Sequence, residues 1–366
     1  MIKTNVSKLE TKNINSYEKK ERSLGLDIIR TIAIFCVFTI HSIAYKNILA
    51  ADILSFKWTI FMIIRFFAMI AVPLFLILTG YLNNKKEISK KYYKGIIPLV
   101  ISYIFISVLE IVATAFFENK TINLKTATIG ILNFSANSYA WYFEMYIGLF
   151  LLIPFLNKLY DSLKNVKEKY ILIGSLAFLT FIPQVVKTFK CNDNWLDITP
   201  DYWQIIYPIT YFYIGKLIKE LKPNLKILYR ILLFVVALAI PCICCYVFST
   251  STEYAWYTFN GFEALPTALV AISVFLIFYD WKYKLPILGK IITEISICSF
   301  EMYLFSSIWD KYLYNKFSLN MFIIIPLVAI CSYVSAKIWI IVRDKIIKLC
   351  SKVNTEEKER IIWRKN

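Results

Sequence analysis

Residues 24–41 read LGLDIIRTIAIFCVFTIH, an apolar run with Asp27 and Arg30 near its start and His41 at its end. His41 is the only histidine among 366 residues. The run and its continuation are long enough for one helical crossing of a ~30 Å hydrocarbon core. An ionisable side chain inside such a helix is costly and normally faces the bundle interior. Arg30 and His41 are eleven residues apart, which on a helix is a rise of ~16 Å and a rotation that returns within ~20° of the same face. One stripe of one helix therefore carries a cation at one depth and an imidazole at another.

Similar runs recur along the chain. Hydrophobic residues make up 58% of it and charged residues only 18%, too apolar a balance for a soluble domain of this length. Ten candidate spans begin near Leu26, Lys57, Gly95, Tyr139, Tyr170, Trp203, Leu228, Ala264, Ile291 and Leu319. The fold class expected is all-α, a polytopic membrane bundle of about ten helices. The net charge of +17 falls in short loops on alternate sides of the runs, among them Lys19, Lys20, Lys85, Lys86, Lys164, Lys167, Lys219, Lys222, Lys282 and Lys345. That is the positive-inside pattern rather than a nucleic-acid footprint, and it puts both termini in the cytoplasm. The opposite loops carry Asp193, Asp197, Asp201, Glu253 and Glu263, with Trp141, Trp195, Trp203 and Trp256 as an interfacial belt. Residues 1–25 read as an uncleaved polar cytoplasmic arm, 26–343 as the membrane domain and 344–366 as a charged cytoplasmic tail.

Six cysteines, Cys36, Cys242, Cys244, Cys245, Cys298 and Cys331, fall within apolar runs, where thiols pack as small hydrophobes. The Cys242–Cys245 cluster has no histidine or carboxylate companion, so no metal is expected. Further intramembrane charges are Arg65, Glu110, Glu144 and Glu301; those at depths near His41 are candidates to meet it.

The Arg30-x10-His41 run resembles the opening motif of the acyltransferase 3 family of integral membrane acyltransferases. Val72–Leu82 (VPLFLILTGYL), Lys90–Leu99 (KKYYKGIIPL), Ala140–Leu156 (AWYFEMYIGLFLLIPFL) and Ser296–Asp310 (SICSFEMYLFSSIWD) are similar to later segments of that family, in order. Two departures stand out. Lys91 and Lys94 occupy the positions of a basic Arg-x-x-Arg pair, keeping the charge but not the bidentate fork. Phe305 and Ser306 stand where many members have a second histidine.

The resemblance implies transfer of an acyl group, commonly acetyl from acetyl-CoA, to a hydroxyl of an extracytoplasmic acceptor such as a cell-surface polysaccharide or glycolipid. It implies a multi-pass protein of a bacterial plasma membrane whose partners are the bilayer, acyl-CoA and the acceptor. Arg30, Lys91 and Lys94 are then expected to grip the donor phosphates, and His41 to act as general base. Glu144 would orient the imidazole and Arg65 would stabilise the oxyanion. The competing expectation is a proton-coupled transporter or flippase, which also suits intramembrane charges and one protonatable ring.

Overall fold

A computed structural model describes residues 22–363 apart from 189, 192, 193, 196–198, 256–258 and 260. Lys19, Lys20, Asp193, Asp197, Trp256 and the first 21 residues lie outside the described residues, as do the side chains of Trp195 and of the tail from Cys350 onward. The chain is an all-helical bundle whose elements, in order, are α1 (Leu24–Lys46), α2 (Phe56–Ala68), α3 (Ala71–Leu82), α4 (Lys90–Lys94), α5 (Ile97–Glu118), α6 (Leu124–Leu132) and α7 (Trp141–Ser162). There follow α8 (Val166–Thr188), α9 (Tyr207–Leu221), α10 (Ile227–Phe248), α11 (Leu265–Phe278), α12 (Leu288–Lys316) and α13 (Met321–Trp363). A two-residue antiparallel pairing, Lys190 with Trp195 and Cys191 with Asn194, is the only strand structure among the described residues.

Eight helical segments of the described chain are long and apolar enough to cross a membrane, counting α2–α3 and α4–α5 as one each. The remaining two expected spans are shorter: α9 has 15 residues and α11 has 14, about 21–23 Å at 1.5 Å per residue. Each opens with a proline at its first turn, Pro208 and Pro266, where the missing N–H costs nothing and an earlier start is discouraged. Both are largely buried among other helices. Irregular backbone can therefore reach inward at their ends, because it is covered by protein rather than lipid. Phe262, in the loop before α11, is held this way by Tyr211 Oη, which donates to its carbonyl at 2.6 Å.

The break between α2 and α3 has a local cause. Pro73 offers no N–H to Met69 and its ring crowds that carbonyl, so the chain turns at Met69 and Ile70. Two apolar clusters lie either side of it. Trp58, Phe61, Met62 and Phe66 of α2 pack with Ile43, Cys242, Cys245 and Met321. The α3 residues join the large central core.

That core is set by close backbone approach. A Cβ at Gly80 of α3 would lie 1.9 Å from the carbonyl oxygen of Phe212 in α9, and one at Gly215 would lie 2.0 Å from that of Ile77. Small residues that let helix backbones touch are the usual membrane solution, where lipid supplies little drive for association. Charged pairs fix other helices. Glu110 is buried and accepts from Lys311 Nζ at 2.5 Å and Ser307 Oγ at 2.7 Å. Glu301 accepts from Arg343 and, at 3.1 Å, from Ser102. Asp280 pairs with Arg230 at 2.7 Å, and this hydrogen-bonded guanidinium holds its carboxyl below the usual carboxylate range.

Gly80→Ala and Gly215→Ala should each cost folded protein, seen as aggregation on size-exclusion chromatography in mild detergent. Gly148→Ala and Gly174→Ala, with nothing within 4 Å of the added carbon, should elute as the parent does.

Candidate functional site

The geometry of α1 starts with Asp27, only 2% exposed. Its carboxylate accepts two hydrogen bonds from Arg22, at 2.6 and 2.7 Å, one from Ser296 Oγ at 2.6 Å and one from Thr293 Oγ1 at 3.2 Å. Arg30 Nη1 lies 3.8 Å from the same carboxylate and donates to Ser296 Oγ at 2.9 Å. Arg22 thus grips the Asp27 carboxylate in a bidentate, charge-assisted contact, and the Ser296 and Thr293 hydroxyls tie that end of α1 to α12. With that end fixed, the helical period turns Arg30, Val37, Ile40 and His41 to one side.

That side lines a cavity of about 230 Å³. Its second wall is the α3 stripe Ala71, Val72, Phe75, Leu78, Thr79 and Leu82, extended by Asn83. Its third is aromatic: Trp141, Tyr142 and Tyr146 of α7 with Phe262, Phe300 and Tyr303. Trp141 and Phe262 stack with ring centres 5.4 Å apart, closing one end beside α11. Glu263, next in the loop, has its carboxyl pushed above the ordinary range by burial.

His41 is held by a ring rather than by a carboxylate. Its imidazole stacks on Tyr139, with centroids 3.7 Å apart and planes 12° from parallel. Tyr139 is itself pinned from α12. Its hydroxyl donates to the buried Asp310 at 2.7 Å, and its carbonyl accepts from Tyr303 Oη. Just before it, Asn137 Nδ2 donates to the Leu304 carbonyl at 3.1 Å and Asn137 Oδ1 accepts from the Tyr139 amide at 3.0 Å. The loop entering α7 is therefore fastened to α12 at three points, and the imidazole rests on the result.

The expected residues separate into two groups. Arg30 and His41 are brought to one cavity. Glu144 is not: it is exposed on α7, two residues from Tyr142 and so ~200° around the helix axis from the cavity wall. Arg65 belongs to the other apolar cluster, its guanidinium carbon 5.4 Å from the Phe66 ring and 6.0 Å from that of Tyr254. Depth alone had placed these two near His41; helix rotation takes them elsewhere. Lys91 and Lys94 are exposed on α4 and are not part of the cavity lining. Tyr139 and Asp310 were not singled out as site residues, because their contact joins positions 171 apart in the chain.

A family model described as an acyltransferase domain matches residues 23–342 of the chain. No curated protein and no solved structure matches it.

Removing the Asp27 carboxylate leaves two arginines beside an empty partner position. Asp27→Asn should lower stability by about 1–3 kcal/mol, the cost of lost hydrogen bonds to a charged group, since Arg22 is half-exposed and can turn to water. The change should appear as a lower apparent Tm in detergent.

Proposed function

The chain belongs to the acyltransferase domain family, and from that premise we propose that it carries an acetyl group from acetyl-CoA on the cytoplasmic side to a hydroxyl of a cell-surface polysaccharide or glycolipid outside. The lysine-rich loops mark the cytoplasmic side by the positive-inside rule. What supports the reading most directly is the shared cavity of Arg30 and His41. Their separation of ~16 Å along α1 is comparable to an extended pantetheine arm. The cavity is mostly uncharged, with Thr79, Asn83 and Ser299 among its lining, as suits a neutral arm with two amides, and Arg30 stands at the end where donor phosphates would enter.

In this mechanism His41 takes the proton of the acceptor hydroxyl as its oxygen attacks the thioester carbonyl carbon. The C–O bond forms and the carbonyl oxygen gathers negative charge. As the tetrahedral species collapses, the C–S bond breaks and the imidazolium returns the proton to the departing thiolate. The ester and free CoA are the products, and the imidazole is neutral again. Tyr139 acts as a positioning residue: its face supports the imidazolium through a cation–π contact, and its hydroxyl, tied to Asp310, fixes the ring.

Purified protein in nanodiscs, with labelled acetyl-CoA and envelope glycans, provides the test. His41→Gln should abolish label transfer while the protein stays folded; full activity in that variant would remove the base assignment. Arg30→Ala should raise KM for acetyl-CoA by tenfold or more. Tyr139→Phe keeps the ring but loses its anchor, so kcat should fall about tenfold with KM unchanged; Tyr139→Leu should lose more.

A further inference from the structure

A second concave space lies beside the first. The loop after α3 supplies Asn83 to the cavity wall and, one residue on, Asn84 to a basin of about 1010 Å³. Seven lysines line the basin against three carboxylates. They come from four separate places: the loop after α3, the end of α7, the start of α8 and the end of α9.

Lysines at the ends of helices satisfy a topology rule on their own, but this basin has a built interior. Lys216 of α9 is 3% exposed. Its ammonium donates to Asn157 Oδ1 at 2.9 Å and pairs with Asp161 at 2.8 Å. The other end of the Asn157 amide donates to the carbonyls of Asn83 and Lys86, at 2.9 and 2.8 Å. One side chain thus fixes the loop shared with the cavity and the buried lysine. Across the basin Lys169 pairs with Glu220 at 2.6 Å, and Tyr160 Oη donates to the same carboxylate at 2.9 Å. Lys86, Lys158 and Lys222 are exposed around the rim. Two carboxylates hold two lysines in place, and the excess positive charge faces the opening.

We propose that this basin holds the phosphorylated adenosine end of the thioester donor, so that the phosphates are gripped by Lys86, Lys158 and Lys222 rather than by Lys91 and Lys94. The proposal rests on the acyl-CoA reading of the neighbouring cavity. It follows from the division of labour between the two spaces: a mostly uncharged slot suits the neutral arm, and a cationic basin one residue away suits several phosphate charges. Ammonium groups on flexible stems act here as point charges, which suits a ligand with phosphates on both its 3′ and 5′ sides.

The test compares acetyl-CoA with S-acetylpantetheine, which lacks every phosphate, and adds direct calorimetric binding of adenosine 3′,5′-bisphosphate. Lys86→Gln/Lys158→Gln/Lys222→Gln changes only exposed side chains. It should raise KM for acetyl-CoA tenfold or more, leave KM for S-acetylpantetheine unchanged, and weaken the bisphosphate by a similar factor. Equal changes for both donors, or none for either with bisphosphate binding intact, would overturn the proposal. So would a variant whose only defect is weaker association with phosphatidylglycerol vesicles, since that assigns the basin to lipid headgroups. If the parent protein binds the bisphosphate through these lysines yet transfers no acyl group from either donor, the basin stands and the acyltransfer reading of the cavity falls.

Discussion

The rotation of α1 about its own axis governs the rest of the molecule. A helix in lipid has no aqueous side to settle its phase, so polar contacts must do so. Here the Asp27 carboxylate does it, tied to Arg22, Ser296 and Thr293 and with Arg30 at its edge. A different rotation would leave a carboxylate and two guanidinium groups without these partners. With this one, the helical repeat delivers His41 to the same wall as Arg30.

The opposite wall has its own constraint, steric rather than electrostatic. The contact of α3 with α9 through Gly80 and Gly215 leaves no room for adjustment. The α3 stripe facing α1 is therefore fixed in position, and so is the loop that leaves it. Between the two walls the aromatic residues of α7 and α12 fill the third side, held by the hydrogen bonds that run from Asn137 and Tyr139 to α12. Arg30 and Tyr139 are each attached to α12 by a separate contact, and the imidazole rests on the Tyr139 ring.

Much of this was legible from the sequence. The ten helical starts fall within five residues of those expected, because long apolar runs bounded by lysine are a strong signal. The Arg30–His41 stripe was legible because it depends on the period of a single helix. Glu144 and Arg65 were misplaced because hydropathy gives depth and not rotation: each sits at a suitable height on the wrong side. The pairing of Tyr139 with Asp310 is a tertiary event with no local trace. Lys85, Lys86, Lys219 and Lys222 of the basin were read as a topology signal, which they also are; only the fold shows that one loop and three helix ends converge. The shortness of α9 and α11 was not read from the sequence, although Pro208 and Pro266 stand at their starts; its outcome, a loop reaching the cavity, depends on burial by other helices.

The break at Met69 and Ile70 has a mechanical consequence. It divides one crossing into two half-length rods, each belonging to a different apolar cluster. The α2 half can tilt or repack with Trp58 and Met321 while the α3 half keeps its register against α9. The two halves of this crossing thereby answer to different neighbours, and only the α3 half lines the cavity of Arg30 and His41. Of the Trp58 cluster, only Ile43 sits on the helix that carries the imidazole, so repacking elsewhere in it reaches the cavity through that one side chain of α1.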